Sequence, residues 1–481
     1  MSDFKNQANI LYTKGQFKDA KELYIKGIEE IKIGDKELSS ADKELVSVLY
    51  CNLAVTNIQL KEYTQALNDA TLSIEYNNQN AKSYQRAGDA LIHLQLYREA
   101  KEMYLHAIRH VKDENSLQIA NNSLQNSKMK LFYEPILQGT PKFYENIEIR
   151  YLDTVKEKSL FTKRDVKKGD ILFMDTPFIH RISPDSMKRL GNLICHFCMK
   201  FIAAESIVYC KGPCKSTQYC SDHCRNESEK TVHTSRSCVD PNDKQSALVQ
   251  YRNMVENLST GTTLLLAESI YSMISHKLIT RQSKNCNLAL GTITHLKRGP
   301  LMAQQPSYNG NNLSDLQKQY QPLLELLKKT YYPTDPKDLE NKLLMDEMNK
   351  LFSVDFYDNI LGMINFNSTS TVVKSPTKTN SNNSSKNDSW GIGLFPIFSC
   401  MNHSCLPNVD ITNEIEDGVN SVKMVLKAKK NLLEGTEILH SYCDEKLPKK
   451  SRQSILSQYG FKCSCSKCSS GLIASTRLKQ C

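Results

Sequence analysis

Two kinds of apolar spacing divide the chain. Near the N-terminus, small and aromatic residues repeat every 34 positions: Ala66 with Ala100, Tyr63 with Tyr97, Ala54 with Gly88, and Ala70 with Tyr104. An earlier copy runs through Ala8, Leu11, Phe17, Ala20 and Tyr24, set off by about a dozen extra residues near Ile33 to Lys43. From Tyr144 the pattern turns to alternation, in Ile147, Ile149 and Tyr151, then Leu160 to Val166, a Lys168-Gly169-Asp170 turn and Ile171-Leu172-Phe173. Alternation predicts strands, and a glycine between apolar runs predicts the turn joining them. Leu248 to Leu278 and Leu316 to Leu327 return to three- and four-residue spacing, which predicts helices over about 245–366. Ser368 to Ser389 is rich in Ser, Thr, Asn and Lys with almost no apolar residue, and is expected to be disordered. The run Leu394-Phe395-Pro396-Ile397-Phe398 predicts a buried strand or short helix, and Ile438 to Asp444 a strand ending in Tyr442.

The N-terminal period is that of tetratricopeptide repeats, in which small residues let two helices approach closely. It predicts helix pairs over about 1–34, 47–80 and 81–114, with a further helix packing to about 130. Such a stack lines a concave groove with the first helix of each repeat. Lys5 and Asn9 lie one turn apart on the first of these helices, Asn52 sits on the second, and Lys82 and Arg86 lie one turn apart on the third. This set resembles the two-carboxylate clamp of tetratricopeptide co-chaperones. The resemblance implies charge-assisted recognition of cytosolic heat-shock chaperone tails ending Glu-Glu-Val-Asp.

Composition narrows the class. With 481 residues and a hydrophobic fraction of 40%, the chain has the make-up of soluble multidomain proteins. No apolar run reaches the length of a membrane span, and Met1 to Tyr24 shows neither a signal-peptide core nor a small-residue cleavage site. Sixteen cysteines without a secretory signal predict metal ligation in a reducing compartment, cytoplasmic and/or nuclear. The net charge of +10 comes from scattered lysines rather than a basic block, so neither nucleic acid nor membrane is an expected partner.

The heptapeptide Asn402-His403-Ser404-Cys405-Leu406-Pro407-Asn408 gathers polar side chains and a thiol directly after an apolar wall. With Ile438 to Asp444 and the stretch from Gln458 to Cys468, it resembles the C-terminal half of a SET-domain lysine methyltransferase. Lys158 to Phe173 resembles the opening of that domain, where a Gly-x-Gly-Leu turn meets S-adenosylmethionine. Glu157 and Ser159 stand here in place of the two glycines. The resemblance implies that Lys158, Asn367, Asn402, His403, Tyr442 and Phe461 contact the cofactor. It assigns catalysis to Tyr442, which orients the amine, and to Tyr459, which forms the opposite wall of a lysine channel.

Between these halves, Cys195-x2-Cys198, Cys210-x3-Cys214, Cys220-x3-Cys224 and His233-x4-Cys238 offer eight ligands in four pairs, enough for two closed tetrahedral zinc sites. Their order resembles a MYND finger. That resemblance interleaves the pairs, Cys195, Cys198, Cys220 and Cys224 on one zinc and Cys210, Cys214, His233 and Cys238 on the other. It also implies docking of proline-containing peptides. Cys405 with Cys463, Cys465 and Cys468 supplies four thiolates for a third zinc.

The expected architecture is therefore a multidomain α+β chain. An N-terminal α-helical tetratricopeptide solenoid occupies 1–130. An all-β-rich SET domain, split, occupies 144–445, interrupted by a MYND zinc finger at 195–238, a helical insert at 245–366 and a disordered low-complexity loop at 368–389. A post-SET zinc-binding segment covers 446–481. This is the layout of the SET-and-MYND methyltransferases, in the branch with N-terminal repeats. Because the chain ends soon after the third cysteine cluster, a more open peptide groove is expected than in relatives with a C-terminal helical domain. The implied activity is S-adenosylmethionine-dependent methylation of a protein lysine. A non-catalytic adaptor, favoured by Glu157 and Ser159, is the second reading.

Overall fold

Small residues set the spacing of the N-terminal helices. The computed structural model describes residues 2–33, 38–152, 156–291, 296, 313–373, 388–415 and 422–469. It opens with α1 (Ser2–Thr13), α2 (Phe17–Lys32), α3 (Ser40–Gln59), α4 (Tyr63–Tyr76), α5 (Ala81–His93), α6 (Tyr97–His110), α7 (Glu114–Gln138) and the short α8 (Pro141–Tyr144). Ala8, Ala20, Ala54, Ala66, Ala70 and Ala100 are fully buried where helices cross. At Gly88 an added Cβ would lie 2.5 Å from the Tyr104 ring, so the aromatic of α6 packs directly on the backbone of α5. The turns inside the pairs use left-handed residues, Gly15, Lys61 and Gln95, the last two one repeat apart. Two departures from expectation concern boundaries. The second repeat begins at Ser40 rather than 47, because Ser39 caps α3 by accepting from the Asp42 N–H. The last long helix runs to Gln138, beyond the expected 130.

Contacts divide the chain into two compact units, the first holding residues up to Tyr144 together with Ile149–Ser159, the second Glu145–Glu148 and Leu160 onward. The opening of the strand-rich region, expected from 144, is thus shared between the units.

The strand-rich part of the chain is built on short sheets. β1 (Ile147–Tyr151), β2 (Lys158–Thr162), β12 (Glu437–His440) and β9 (Asn402–His403) form one, in the order β1-β2-β12-β9. β10 (Val409–Ile415), β11 (Val422–Ala428) and β3 (Ile171–Asp175) form a second, and β4 (Ile179–Ile182), β8 (Ser389–Leu394) and β7 (Ser368–Val373) a third. The expected loop at 368–389 is corrected at both ends: Thr369, Thr371, Val372 and Val373 suit a strand, and all of Ser368–Val373 pairs with Ser389–Leu394. Residues 374–387 lie outside the described residues.

Between β4 and β7 come α9 (Pro184–Leu190), the hairpin β5 (Val208–Tyr209) and β6 (Gln218–Tyr219), and α10 (Asp222–Lys230) of the finger. The helical insert follows as α11 (Ala247–Val255), α12 (Gly261–Ile279), α13 (Cys286–Ala289), α14 (Leu313–Tyr331), α15 (Pro336–Leu339), α16 (Lys342–Leu351) and α17 (Val354–Asn367). α12 is buried along almost its whole length and centres the largest apolar cluster. Glu268 lies inside it, accepting from Arg252 and from the Tyr331 hydroxyl and pairing with Arg181 at 3.6 Å. Burial alone would raise this carboxyl, but the two guanidinium groups hold it below the usual range. Breaking such a buried network costs roughly 3–5 kcal/mol. It ties α12 to strand β4. The last element is α18 (Lys449–Ser457).

Candidate active site

The apolar run before the heptapeptide is buried, with Leu394, Phe395 and Ile397 at zero exposure. It turns into a short 3-10 helix, Phe398–Cys400, because the Asp175 carboxylate accepts from the Ile397 and Phe398 N–H groups at 2.9 and 2.7 Å. Burial pushes the Asp175 carboxyl up to about 7 against these bonds, which pull it down. The turn delivers Asn402 and His403 to β9, which lies parallel to β12 with Asn402 opposite Leu439 and His403 opposite His440. Asn408 completes the pairing. Its Nδ2 donates to Glu437 O at 2.8 Å and its Oδ1 accepts from Leu439 N at 2.8 Å. Among the described residues β9 is the last strand of its sheet.

Side chains then converge from both ends of the unit. Asn402 Nδ2 donates to Glu437 Oε1 at 3.1 Å. His403 Nδ1 accepts from Tyr442 N at 3.0 Å, which puts the imidazole proton on Nε2, 3.3 Å from Cys405 Sγ. The Tyr442 hydroxyl donates to Met401 O at 2.8 Å. Its ring lies 5.0 Å from Tyr459, 4.8 Å from His440, 5.3 Å from His403 and 6.2 Å from Phe461. Phe366 extends this wall, 6.0 Å from Tyr459. Burial raises both tyrosine hydroxyls above their ordinary value. It pushes His403 down to about 4, with help from Arg452, and His440 to about 3. Near pH 7 this wall is therefore protonated phenol and neutral imidazole.

The remaining sequence candidates are placed as follows. Asn367 ends α17, buried, with Nδ2 donating to Met363 O, while Ser399 Oγ donates to its backbone O at 3.3 Å. Lys158 belongs to the first unit, where its Nζ lies 3.2 Å from the Tyr133 hydroxyl. Glu157 adopts φ +54, the left-handed region in which glycine is favoured, and its side chain is exposed. Ser159 is fully buried.

Four His/Cys groups bring their donor atoms within 4.8 Å of one another among the described residues: Cys195, Cys198, Cys220 and Cys224; Cys210, Cys214, His233 and Cys238; Cys405, Cys463, Cys465 and Cys468; and His403, Cys405 and Cys443. The count is four rather than the three expected, but the fourth shares Cys405 with the third. His233 Nε2 lies 3.4 Å from Cys210 Sγ and 3.3 Å from Cys214 Sγ, so His233, not His223, joins the finger's second group. Four convergent thiols suit a tetrahedral soft metal. Arg452 of α18, a side chain that spacing did not single out, donates to Cys405 Sγ at 3.2 Å and to Cys468 Sγ at 3.4 Å. Buried guanidinium compensates thiolate charge, as outer-shell partners of metal ligands do.

In the first unit, Asn9 Oδ1 accepts from the Tyr24 hydroxyl at 2.6 Å and from Asn52 Nδ2 at 3.1 Å, which fixes both amides. Arg86 Nη1 donates to Asp89 Oδ2 at 3.1 Å. Arg86 and Asp89 line a cavity of about 280 Å³ with Val55, His93 and Ser123. Lys82 is exposed and Lys5 half-buried.

Residues 157–443 match the SET domain family, and residues 81–109 match the tetratricopeptide repeat. Histone-lysine N-methyltransferase ATXR2 of Arabidopsis thaliana is 35% identical over 147 residues, 25% of this chain and 31% of that protein. The Hsp70/Hsp90 co-chaperone CNS1 of Saccharomyces cerevisiae is 34% identical over 113 residues, 24% of this chain and 27% of that one. Protein-lysine N-methyltransferase SMYD4 of Mus musculus is 21% identical over 555 residues, 97% of this chain and 66% of that protein. The chain thus spans less than a third of the length of the first two.

Proposed function

Because the chain belongs to the SET-domain family, with the SET-and-MYND layout and N-terminal tetratricopeptide repeats, we propose that it is an S-adenosylmethionine-dependent protein-lysine N-methyltransferase. The observation that carries this is the joining of Asn402 and His403 to the Tyr442, Tyr459 and Phe461 cluster across β9 and β12. S-adenosylmethionine, when bound, supplies an activated methyl group. Asn402, with its amide beside Glu437, and the backbone of His403 on the last described strand of the sheet would hold the polar parts of that cofactor, and Phe461 would pack on its adenine. Asn367 is a further candidate contact.

The substrate lysine must lose its proton before it attacks. A free amine has a pKa near 10.4. The ring-lined site formed by Tyr442 and Tyr459 desolvates the ammonium and lowers that value. The Tyr442 hydroxyl and the Met401 carbonyl are fixed against each other, so they present one oriented polar pair to the amine. Holding an amine in line supplies several kcal/mol of the barrier. Zinc on the three tetradentate groups would keep the finger folded and pin Cys405, hence His403, to the C-terminal segment.

The repeats would act as a docking module for an acidic chaperone tail through Lys5, Asn9, Asn52, Lys82 and Arg86, and the finger for proline-containing peptides. A thiol-rich chain of this kind suits the cytoplasm and/or nucleus. An adaptor without catalysis is the second reading, favoured by buried Ser159 where the family has glycine. Against it, Glu157 takes the left-handed turn with its side chain in solvent.

Calorimetry separates the two. The enzyme gives a heat of binding with S-adenosylmethionine, and Tyr442→Phe keeps that heat while methyl transfer to protein in a cell extract falls about 100-fold. No heat with the cofactor leaves the adaptor. In the same instrument a Glu-Glu-Val-Asp peptide binds the wild type and loses about ten-fold in Lys82→Ala; unchanged affinity removes the clamp.

A further inference from the structure

The C-terminal cysteine group has a neighbouring thiol that zinc does not need. Cys405, Cys463, Cys465 and Cys468 already complete a tetrahedral set, yet Cys405 also groups with His403 and Cys443, their donor atoms within 4.8 Å of one another. This second group does not suit a metal of its own. His403 Nδ1 accepts from Tyr442 N at 3.0 Å, so Nε2 carries the ring proton and faces Cys405 Sγ at 3.3 Å as a donor, not a ligand. What remains is a pair of sulfurs, one inside the tetrathiolate and one outside it.

The two differ in what can reach them. Cys405 is fully buried, and Arg452 donates to its sulfur at 3.2 Å. Cys443 follows β12 and is half-exposed. A dissolved oxidant therefore meets Cys443 first. Among the described residues Cys405 is the only member of the tetrathiolate that groups with it. Cys468 lies 3.6 Å from Cys405, but zinc would hold both as ligands, whereas Cys443 is oxidised without first leaving a metal.

We propose that Cys443 is a site of oxidation by hydroperoxide and Cys405 its resolving partner, their disulfide expelling the C-terminal zinc and disabling the site. This rests on the zinc proposed for that group. The Cys443 sulfur attacks one peroxide oxygen, the O–O bond breaks, and a sulfenic acid and water form. The Cys405 thiolate then leaves zinc and attacks the Cys443 sulfur, the S–O bond breaks, and hydroxide departs. Two electrons leave the sulfur pair and reduce one peroxide to water and hydroxide. A disulfide sulfur no longer offers zinc a negative ligand, so three thiolates remain to hold it. The sulfurs must also close to about 2.0 Å, and they belong to the residue after Tyr442 and the second residue after His403, so the bond pulls on both parts of the wall. In a reducing compartment such a bond is transient, which makes the loss reversible.

The test treats the full-length, zinc-loaded protein with a few equivalents of hydrogen peroxide. A non-reducing digest should yield the Cys405–Cys443 cross-linked peptide by tandem mass spectrometry, with loss of one zinc and of the S-adenosylmethionine heat. Dithiothreitol with added zinc should restore that heat. Cys443→Ser keeps the side-chain shape. It should hold the same zinc before treatment and release it at least about five-fold more slowly during it; zinc lost from the finger is common to both proteins and cancels. No cross-link, a link from Cys405 to Cys463 or Cys468 instead, equal zinc release in Cys443→Ser, or Cys443 carried to sulfinic acid with zinc retained overturns the proposal. Equal zinc content in untreated wild type and Cys405→Ala shows instead that the zinc reading has failed, and the switch falls with it.

Discussion

The finger and the C-terminal cysteine group use the same thiol chemistry to opposite structural ends. Every donor of the finger lies between Cys195 and Cys238, so a metal held there would close short local loops. In the C-terminal group, Cys405 meets Cys463 across 58 positions, and its neighbour His403 receives the Tyr442 N–H. The finger's ligands organise a surface. Those of the C-terminal group brace the wall of the site itself. Where the ligands fall along the chain, more than which ligands they are, decides what metal loss destroys.

The comparison is tested first at the C-terminal group, where the effect is largest. Cys405→Ala should lower the zinc content by one ion and abolish both cofactor heat and methyl transfer, since structural zinc is worth roughly 10–16 kcal/mol to such a segment. Cofactor binding that survives this change ends the distinction. Arg452→Gln keeps all four thiols and removes only their compensating charge. It should weaken zinc retention about 10–100-fold against a competing chelator, with a matching fall in activity. The smallest effect belongs to the finger. Cys210→Ser should also release one zinc, yet leave S-adenosylmethionine affinity within about three-fold. A loss as deep as that of Cys405→Ala would make the two regions equivalent.

The sequence exposed what rests on period and spacing. The repeat helices followed from Ala and Tyr recurring at a fixed offset, since close helix crossings demand small residues at fixed places. The cysteine pairs were visible because two thiolates on one turn have little other use. What stayed hidden depends on partners distant in the chain. Asp175 is an ordinary strand-end carboxylate until the fold sets the Ile397 and Phe398 N–H groups against it. Arg452 looks like one more helix arginine, and Glu268 like a surface residue of α12, because burial and counter-charge are tertiary facts. Ser368–Val373 departs from expectation for a different reason. Low hydrophobicity outweighed the β-branched content of Thr369, Thr371, Val372 and Val373, whereas pairing with β8 decides the matter.

Strands β4 and β8 are hydrogen-bonded neighbours, Ile179 opposite Leu394 and Ile182 opposite Gly391, although the finger and the helical insert are encoded between them. A ribosome therefore delivers one edge of that ladder long before the other. At about 5–20 residues per second, the wait is on the order of tens of seconds, during which the early strand has no mate. The intervening finger and helices must find their own shape meanwhile. Synonymous changes that slow translation inside the insert would lengthen that exposure and lower the yield of folded product without altering one amino acid.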